Sequence, residues 1–330
     1  MPTNQDRIVA FDYLRVIAVL MVMACHWMQF HKVTPVFGSS LGAIANCFFF
    51  AMSGLALGLG WRRHGCVGFG KSFVFRRLKR LYPAFLVVSA CICGCTALFF
   101  GGVSIKQTVL NLLALSWFAE IPLGGHLWFV TGLTMLYFLL FFVSRASIAK
   151  TARPIMLWLL VPVCVVAQVF LTFLGIGQSY VLMLLLAGVL SFVFAEKICD
   201  SLLKARGNFK ACLLSVTVLC GSEILLLVCR SASTLWLYYW IALCSAAALF
   251  VLGFSVFGSA RLVAPFGFLA GISYELYLVH YPVAGHLPLM IYFPLTIVSA
   301  FGLGQLVKAV FKLMERRHVE LSKFASHDRP

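Results

Sequence analysis

The chain has 330 residues, of which 62% are hydrophobic and only 11% charged, and its mean hydropathy is +1.00. So little polar surface excludes a soluble domain. The net charge of +16 would suit a polyanion, but the placement of the basic residues accounts for it without nucleic acid.

Apolar runs long enough to cross a bilayer, about 20 residues each, recur along the whole length. Ten spans are predicted: 8–30, 40–60, 82–101, 126–144, 154–174, 178–196, 211–229, 235–255, 263–283 and 288–308. They are too long and too continuously apolar for barrel strands, so the predicted class is an all-α, polytopic membrane protein. Segment 103–119 carries Lys106, Gln107 and Asn111 and reads as an interfacial or re-entrant piece.

The first run, Ile8 to Phe30, holds Asp12, Arg15 and His26. An intramembrane arginine costs about 2.5–3.5 kcal/mol on insertion scales, so it faces protein or a water-filled cavity. Eleven residues at about 100° each return to within roughly 20° of the start, so Arg15 and His26 share one stripe, about 16 Å apart along the axis. Asp12, one turn before Arg15, can neutralise it. This seam reads either as a structural ion pair with a hydrogen-bonded histidine or as a functional path.

The second run contains Phe48-Phe49-Phe50 and then Ser53-Gly54. The loop from Trp61 to Arg80 ends in Arg76-Arg77-Leu78-Lys79-Arg80 and leads into the third run. Arg77 and Arg80 share a helical face, and paired guanidinium groups suit phosphate oxygens. The bland reading is a stop-transfer cluster. His126-Leu127-Trp128-Phe129 opens the fourth run, and Ser273, Tyr277 and His280 follow the i, i+4, i+7 spacing of one helical face in the ninth. Three histidines could ligate zinc, but no HExxH-type spacing supports it, and no metal is expected. Glu223 and Glu275 read as helix contacts. The twelve cysteines lie mostly inside predicted helices, where they act as small hydrophobes. Cys91, Cys93 and Cys95 alternate, so Cys93 points away from the other two.

With the start of the chain placed inside, 22 of the 26 Lys and Arg residues fall on the inner side. Lys32, Lys106 and Arg230 fall outside, and Arg15 lies within a helix. This bias predicts cytoplasmic termini and inner loops drawn to anionic lipid heads. No repeat or linker splits the chain, so residues 1–314 are expected to form one membrane domain followed by a short basic tail, 315–330. The first run reads as a span and not as a cleavable signal.

Phe11-Asp12-Tyr13-Leu14-Arg15-Val16-Ile17-Ala18, continuing to His26, resembles the first-helix signature of the acyltransferase-3 family, an arginine followed eleven residues later by histidine. Phe49-Phe50-Ala51-Met52-Ser53-Gly54 is similar to the second-helix motif, and Arg77-x-x-Arg80 to the paired-arginine motif. His126 through Tyr137, and Ile272 through His280, resemble later blocks. The stretch Phe129 to Thr134 lacks a glutamate that many members carry, and looks more like the branch that acetylates bacterial surface glycans.

The resemblance implies an O-acyltransferase in a bacterial inner membrane, with acetyl-CoA as donor and a glycan or lipid-linked sugar as acceptor, alongside polysaccharide-assembly partners. It implies catalytic roles for His26 and Arg15 and acyl-CoA binding by Arg76, Arg77 and Arg80. It also implies acceptor contacts from His126, Trp128, Tyr137, Ser273, Tyr277 and His280. The rival reading is a transporter or flippase for a glycan lipid or small metabolite, against which stands the lack of any inverted-repeat signal.

Overall fold

A computed structural model describes residues 9–33, 40–64, 71–118, 121–146, 162–164, 166–167, 170, 181–228, 235–258, 261 and 263–327. Among them the regular elements are helical. They are α1 (Val9–Phe30), α2 (Leu41–His64), α3 (Lys71–Phe99), α4 (Ile105–Leu112) and α5 (Trp128–Ala146). After these come α6 (Val181–Val193), α7 (Ala195–Lys204), α8 (Phe209–Val228) and α9 (Leu235–Phe257). The last are α10 (Ala264–Gly271), α11 (Ser273–Ala284) and α12 (Leu289–His327).

Six of these helices are long and apolar enough to cross a membrane: Val9–Phe30, Leu41–Trp61, Phe75–Phe99, Phe209–Leu226, Leu237–Phe257 and Leu289–Met314. The number becomes seven if α6 and α7, bent by 81° at their junction, count as one span. The ten expected spans therefore differ from these six helices in four places. Span 154–174 lies largely outside the described residues. The run at 178–196 ends in the sharp bend at Phe194. The run at 263–283 is broken at Ile272 into α10 and α11. The run at 126–144 corresponds to a shorter apolar helix, Trp128–Ser144. The segment read as interfacial folds as α4, started by a capping box in which Ser104 Oγ accepts from Gln107 N and Gln107 Oε1 accepts from Ser104 N. The apolar part of α12 stops at Met314, where the expected tail begins, but the helix itself continues to His327.

α1 is central and packs on α2, α9, α10 and α11. Its apolar side holds Leu14, Val19 and Met23, all fully buried, and Gly253 of α9 gives Leu14 its place. A Cβ on Gly253 would lie 2.3 Å from the Leu14 side chain. Phe48 of α2 stacks on Phe250 of α9 at 4.3 Å between centroids. α2 and α6 approach backbone to backbone: a Cβ on Gly54 would sit 1.9 Å from the Gly188 carbonyl oxygen, and one on Gly58 2.4 Å from that of Phe192. Gly54 and Gly58 are four apart, the small-residue spacing that lets membrane helices touch. α8 buries little of itself and leaves Leu213, Leu214, Ile224 and Leu225 exposed, a surface suited to lipid.

Candidate active site

Two compartments lie side by side along α1. The first is a pocket of about 850 Å³, counting its open mouth, between α1, α2, α3, α5 and α11. Arg15, Arg77 and Arg80 line it, together with Ser53, Tyr137, Ser273, Tyr274 and Tyr277. Phe49, Met52, Phe129 and Leu133 give it an apolar wall. Arg77 and Arg80 stand one turn apart on α3, so a single helix face delivers both. Arg15 keeps its expected neighbour: its Nη1 lies 3.4 Å from Asp12 Oδ1. The Tyr137 and Ser53 side chains share a hydrogen bond close to the three guanidinium groups. Tyr274 and Ser273 are tied down by backbone carbonyls, donating to Leu81 O at 3.1 Å and Ala270 O at 3.0 Å. Arg76 is exposed and is not part of this lining. Trp128 is half-buried and also outside the lining, edge-on to Phe129.

The second compartment is a histidine cluster from three separate segments. The His280 ring lies 5.2 Å from that of His26 and 5.3 Å from that of His126. Tyr281 is 4.9 Å from both His26 and His126, stacked on the latter at 20°. His126 and His280 are fully buried, whereas His26 is partly exposed near the end of α1 that leads to Gln29 and Phe30. The stripe expected on α1 is therefore present, since both Arg15 and His26 face α11. It does not form one site: Arg15 belongs to the pocket and His26 to the histidines.

The backbone of α11 fixes the ring tautomers. Pro282 has no N–H, so the Leu278 carbonyl four residues earlier loses its helical donor. His126 Nε2 takes that place at 2.9 Å. His280 Nδ1 lies 2.6 Å from Tyr277 O. A carbonyl only accepts, so both of these nitrogens carry the proton. His26 Nδ1 faces the Gln29 side-chain oxygen at 3.1 Å, and the same amide donates from Nε2 to Cys25 Sγ. His26 is thus protonated at Nδ1, and its Nε2 is a lone pair with no hydrogen-bond partner among the described residues.

Tyr277 joins the compartments. It lines the arginine pocket, its hydroxyl donates to His126 O at 2.9 Å, and its ring packs on Phe129 at 4.5 Å and on His280 at 5.4 Å. Gln29 and Tyr281 escaped the sequence reading, and Phe129 and Tyr274 fell within its motifs without being given a role. Only Gln29 had a usable signal, its i+3 spacing from His26. Glu223, read as a helix contact, accepts a hydrogen bond from Ser40, and Glu275 packs against Gly304. Among the described residues no group of three His, Cys, Asp or Glu side chains is arranged to hold a metal ion.

Chemically, the pocket pairs fixed cations with an apolar wall, and the cluster offers a ring nitrogen able to take a proton or attack a carbonyl. No curated protein and no solved structure matches the chain. A family model described as an acyltransferase domain matches residues 8–304, from the start of α1 into the apolar part of α12. The chain belongs to the acyltransferase-3 family and is a membrane acyltransferase.

Proposed function

We propose that the protein is an O-acetyltransferase of the bacterial inner membrane, moving an acetyl group from cytoplasmic acetyl-CoA to a hydroxyl of a surface or lipid-linked glycan. The observation that carries this reading is the meeting of a triple-arginine pocket and a histidine cluster at one shared side chain, Tyr277. Acetyl-CoA is an anion with a long thioester arm. Arg77 and Arg80 would hold its phosphates with charge-assisted bonds, Arg15 the part nearest α1. The arm would then run along Phe49, Met52 and Phe129, and bring the thioester past Tyr277 to His26.

At His26 the bare Nε2 allows two balanced routes. As a general base it takes the proton of the acceptor hydroxyl while that oxygen attacks the thioester carbonyl; the tetrahedral adduct expels CoA thiolate, which receives the proton. As a nucleophile it attacks the carbonyl and expels CoA thiolate; the hydroxyl then takes the acetyl group from the imidazole and its proton passes to the thiolate. Both need Nδ1 protonated, which the Gln29 contact favours. Both therefore put His26 at the chemical centre and Arg15 in the donor pocket.

Purified protein given labelled acetyl-CoA and its own membrane glycan lipids should release CoA and label the glycan. His26→Ala should reduce turnover by at least about a hundredfold while inserting normally, and full activity in that variant sinks the assignment. Arg77→Ala with Arg80→Ala should raise the KM for acetyl-CoA about tenfold or more; an unchanged KM reduces the cluster to an orientation signal. Movement of acceptor without thioester cleavage would instead favour the transporter reading.

A further inference from the structure

Aromatic rings separate the arginine pocket from the histidine cluster, and none of the three histidines lines the pocket. Chain order identifies the rings. Among the lining residues of α2, α5 and α11, Phe49, Phe129 and Tyr277 lie nearest the histidine end of their helices. His126 is three residues before Phe129, His280 is three after Tyr277, and α2 begins at Gly42, which meets Cys25 beside His26. The Phe129 ring packs on Tyr277 at 4.5 Å and edge-on to Phe49 at 5.8 Å, and the residue is only 4% exposed. Tyr277 is pinned through its hydroxyl, which donates to His126 O at 2.9 Å. Phe129 has no polar atom to hold it, so it is the side of the contact able to give way. Its travel is limited from behind. The fully buried Phe50 ring stands edge-on to it at 5.5 Å, and Phe50 is itself seated over Gly132, where a Cβ would lie 2.9 Å from Phe50 Cζ.

We infer that Phe129 sets the largest acyl group the protein transfers, yielding far enough for an acetyl-sized group and no further. This rests on the acyl-transfer reading and adds to it the residue that selects the acyl chain. An acetyl thioester carries a single methyl beyond its carbonyl, so the Phe129 ring has to part from Tyr277 by little more than that methyl. Each further methylene must push Phe129 onto Phe50 and Phe50 onto the α5 backbone at Gly132, in a core packed too closely to absorb it. A misfitting methylene in such a pocket costs about tenfold or more in kcat/KM. Arg77 and Arg80 take no part in this choice, because they would meet the same CoA phosphates whatever acyl group is attached.

The test gives acetyl-, butyryl- and hexanoyl-CoA separately to the full chain in lipid nanodiscs, with its own membrane glycan lipids, and follows CoA release. The parent should favour acetyl over butyryl by about a hundredfold in kcat/KM, since butyryl is two methylenes longer, and should leave hexanoyl-CoA almost untouched. Phe129→Leu and Phe129→Ala should narrow the acetyl-to-butyryl ratio in that order, by at least about tenfold in the alanine variant, with butyryl turnover rising in absolute terms. Phe129→Leu keeps most of the buried volume, so the comparison survives if the alanine variant does not fold. Phe192→Leu removes another fully buried ring, one outside the pocket and against Trp61. It should lower the melting temperature and leave the ratio at the parent value, which separates a size limit from general loosening. A parent that uses all three thioesters equally, a ratio unmoved in both Phe129 variants, or the same narrowing in Phe192→Leu would overturn the inference while acyl transfer stands. No CoA release from any thioester would remove the acyl-transfer reading, and the size limit with it.

Discussion

Gln29 sits three residues beyond His26, and its side-chain oxygen holds Nδ1 of that ring at 3.1 Å. A neutral imidazole otherwise exchanges its proton between the two nitrogens, and only one tautomer leaves Nε2 free to act. The amide is itself oriented by its contact with Cys25 Sγ at 3.5 Å, so the pair is set from within one turn of α1. Gln29→Leu should lower acetyl transfer about tenfold and leave the KM for acetyl-CoA unchanged, because the arginine pocket lies elsewhere on α1. Gln29→Glu keeps an oxygen acceptor at the same reach and should restore most of the rate. Equal activity in the Leu variant, or equal loss in both, would show that the contact does not position the ring.

At the scale of elements, two devices bring the site together, and they differ in how far sequence exposes them. The i, i+4, i+7 spacing of Ser273, Tyr277 and His280 names the face of α11 that meets α1, and that face is where the pocket and cluster lie. The breaks at Ile272 and Phe194 leave no such trace: hydropathy counts apolar length and is blind to a backbone that turns within it. The close contact of α2 and α6 is half-visible as Gly54 and Gly58, but its partner Gly188 lies too far along the chain for local spacing to find. That contact supports a direct prediction. Gly54→Ala forces a methyl into the Gly188 carbonyl and should cost at least about 1–3 kcal/mol, read as a lower melting temperature in detergent. Gly60→Ala is the control, since a Cβ there meets nothing within 4 Å, and its melting curve should match the parent. Because Ser53 is next to Gly54 and lines the pocket, the Gly54 variant should also bind acetyl-CoA more weakly at temperatures where it is still folded.

The whole molecule must present its two compartments to opposite sides of the membrane if the acetyl group is to cross, and the distribution of charge sets which side is which. Arg76 belongs to the pocket end of the bundle, and Lys32 follows α1 at the histidine end, both being exposed. Basic residues near span ends are retained in the cytoplasm during insertion, which predicts the pocket end on the inside, where a soluble acyl-CoA would be met. On that expectation Lys32 falls outside, with Lys106 and Arg230. The excess on the opposite side, 22 of 26 basic residues by the sequence topology, outweighs them. Labelling with a membrane-impermeant maleimide tests this, in a chain whose twelve cysteines have all been replaced. Lys32→Cys should react in intact cells, and Arg76→Cys only after the membrane is opened. The reverse pattern would put the arginine pocket on the wrong side for a cytoplasmic donor. Reaction of both in intact cells would place the two ends on one face, and no path along α1 could then carry an acyl group across.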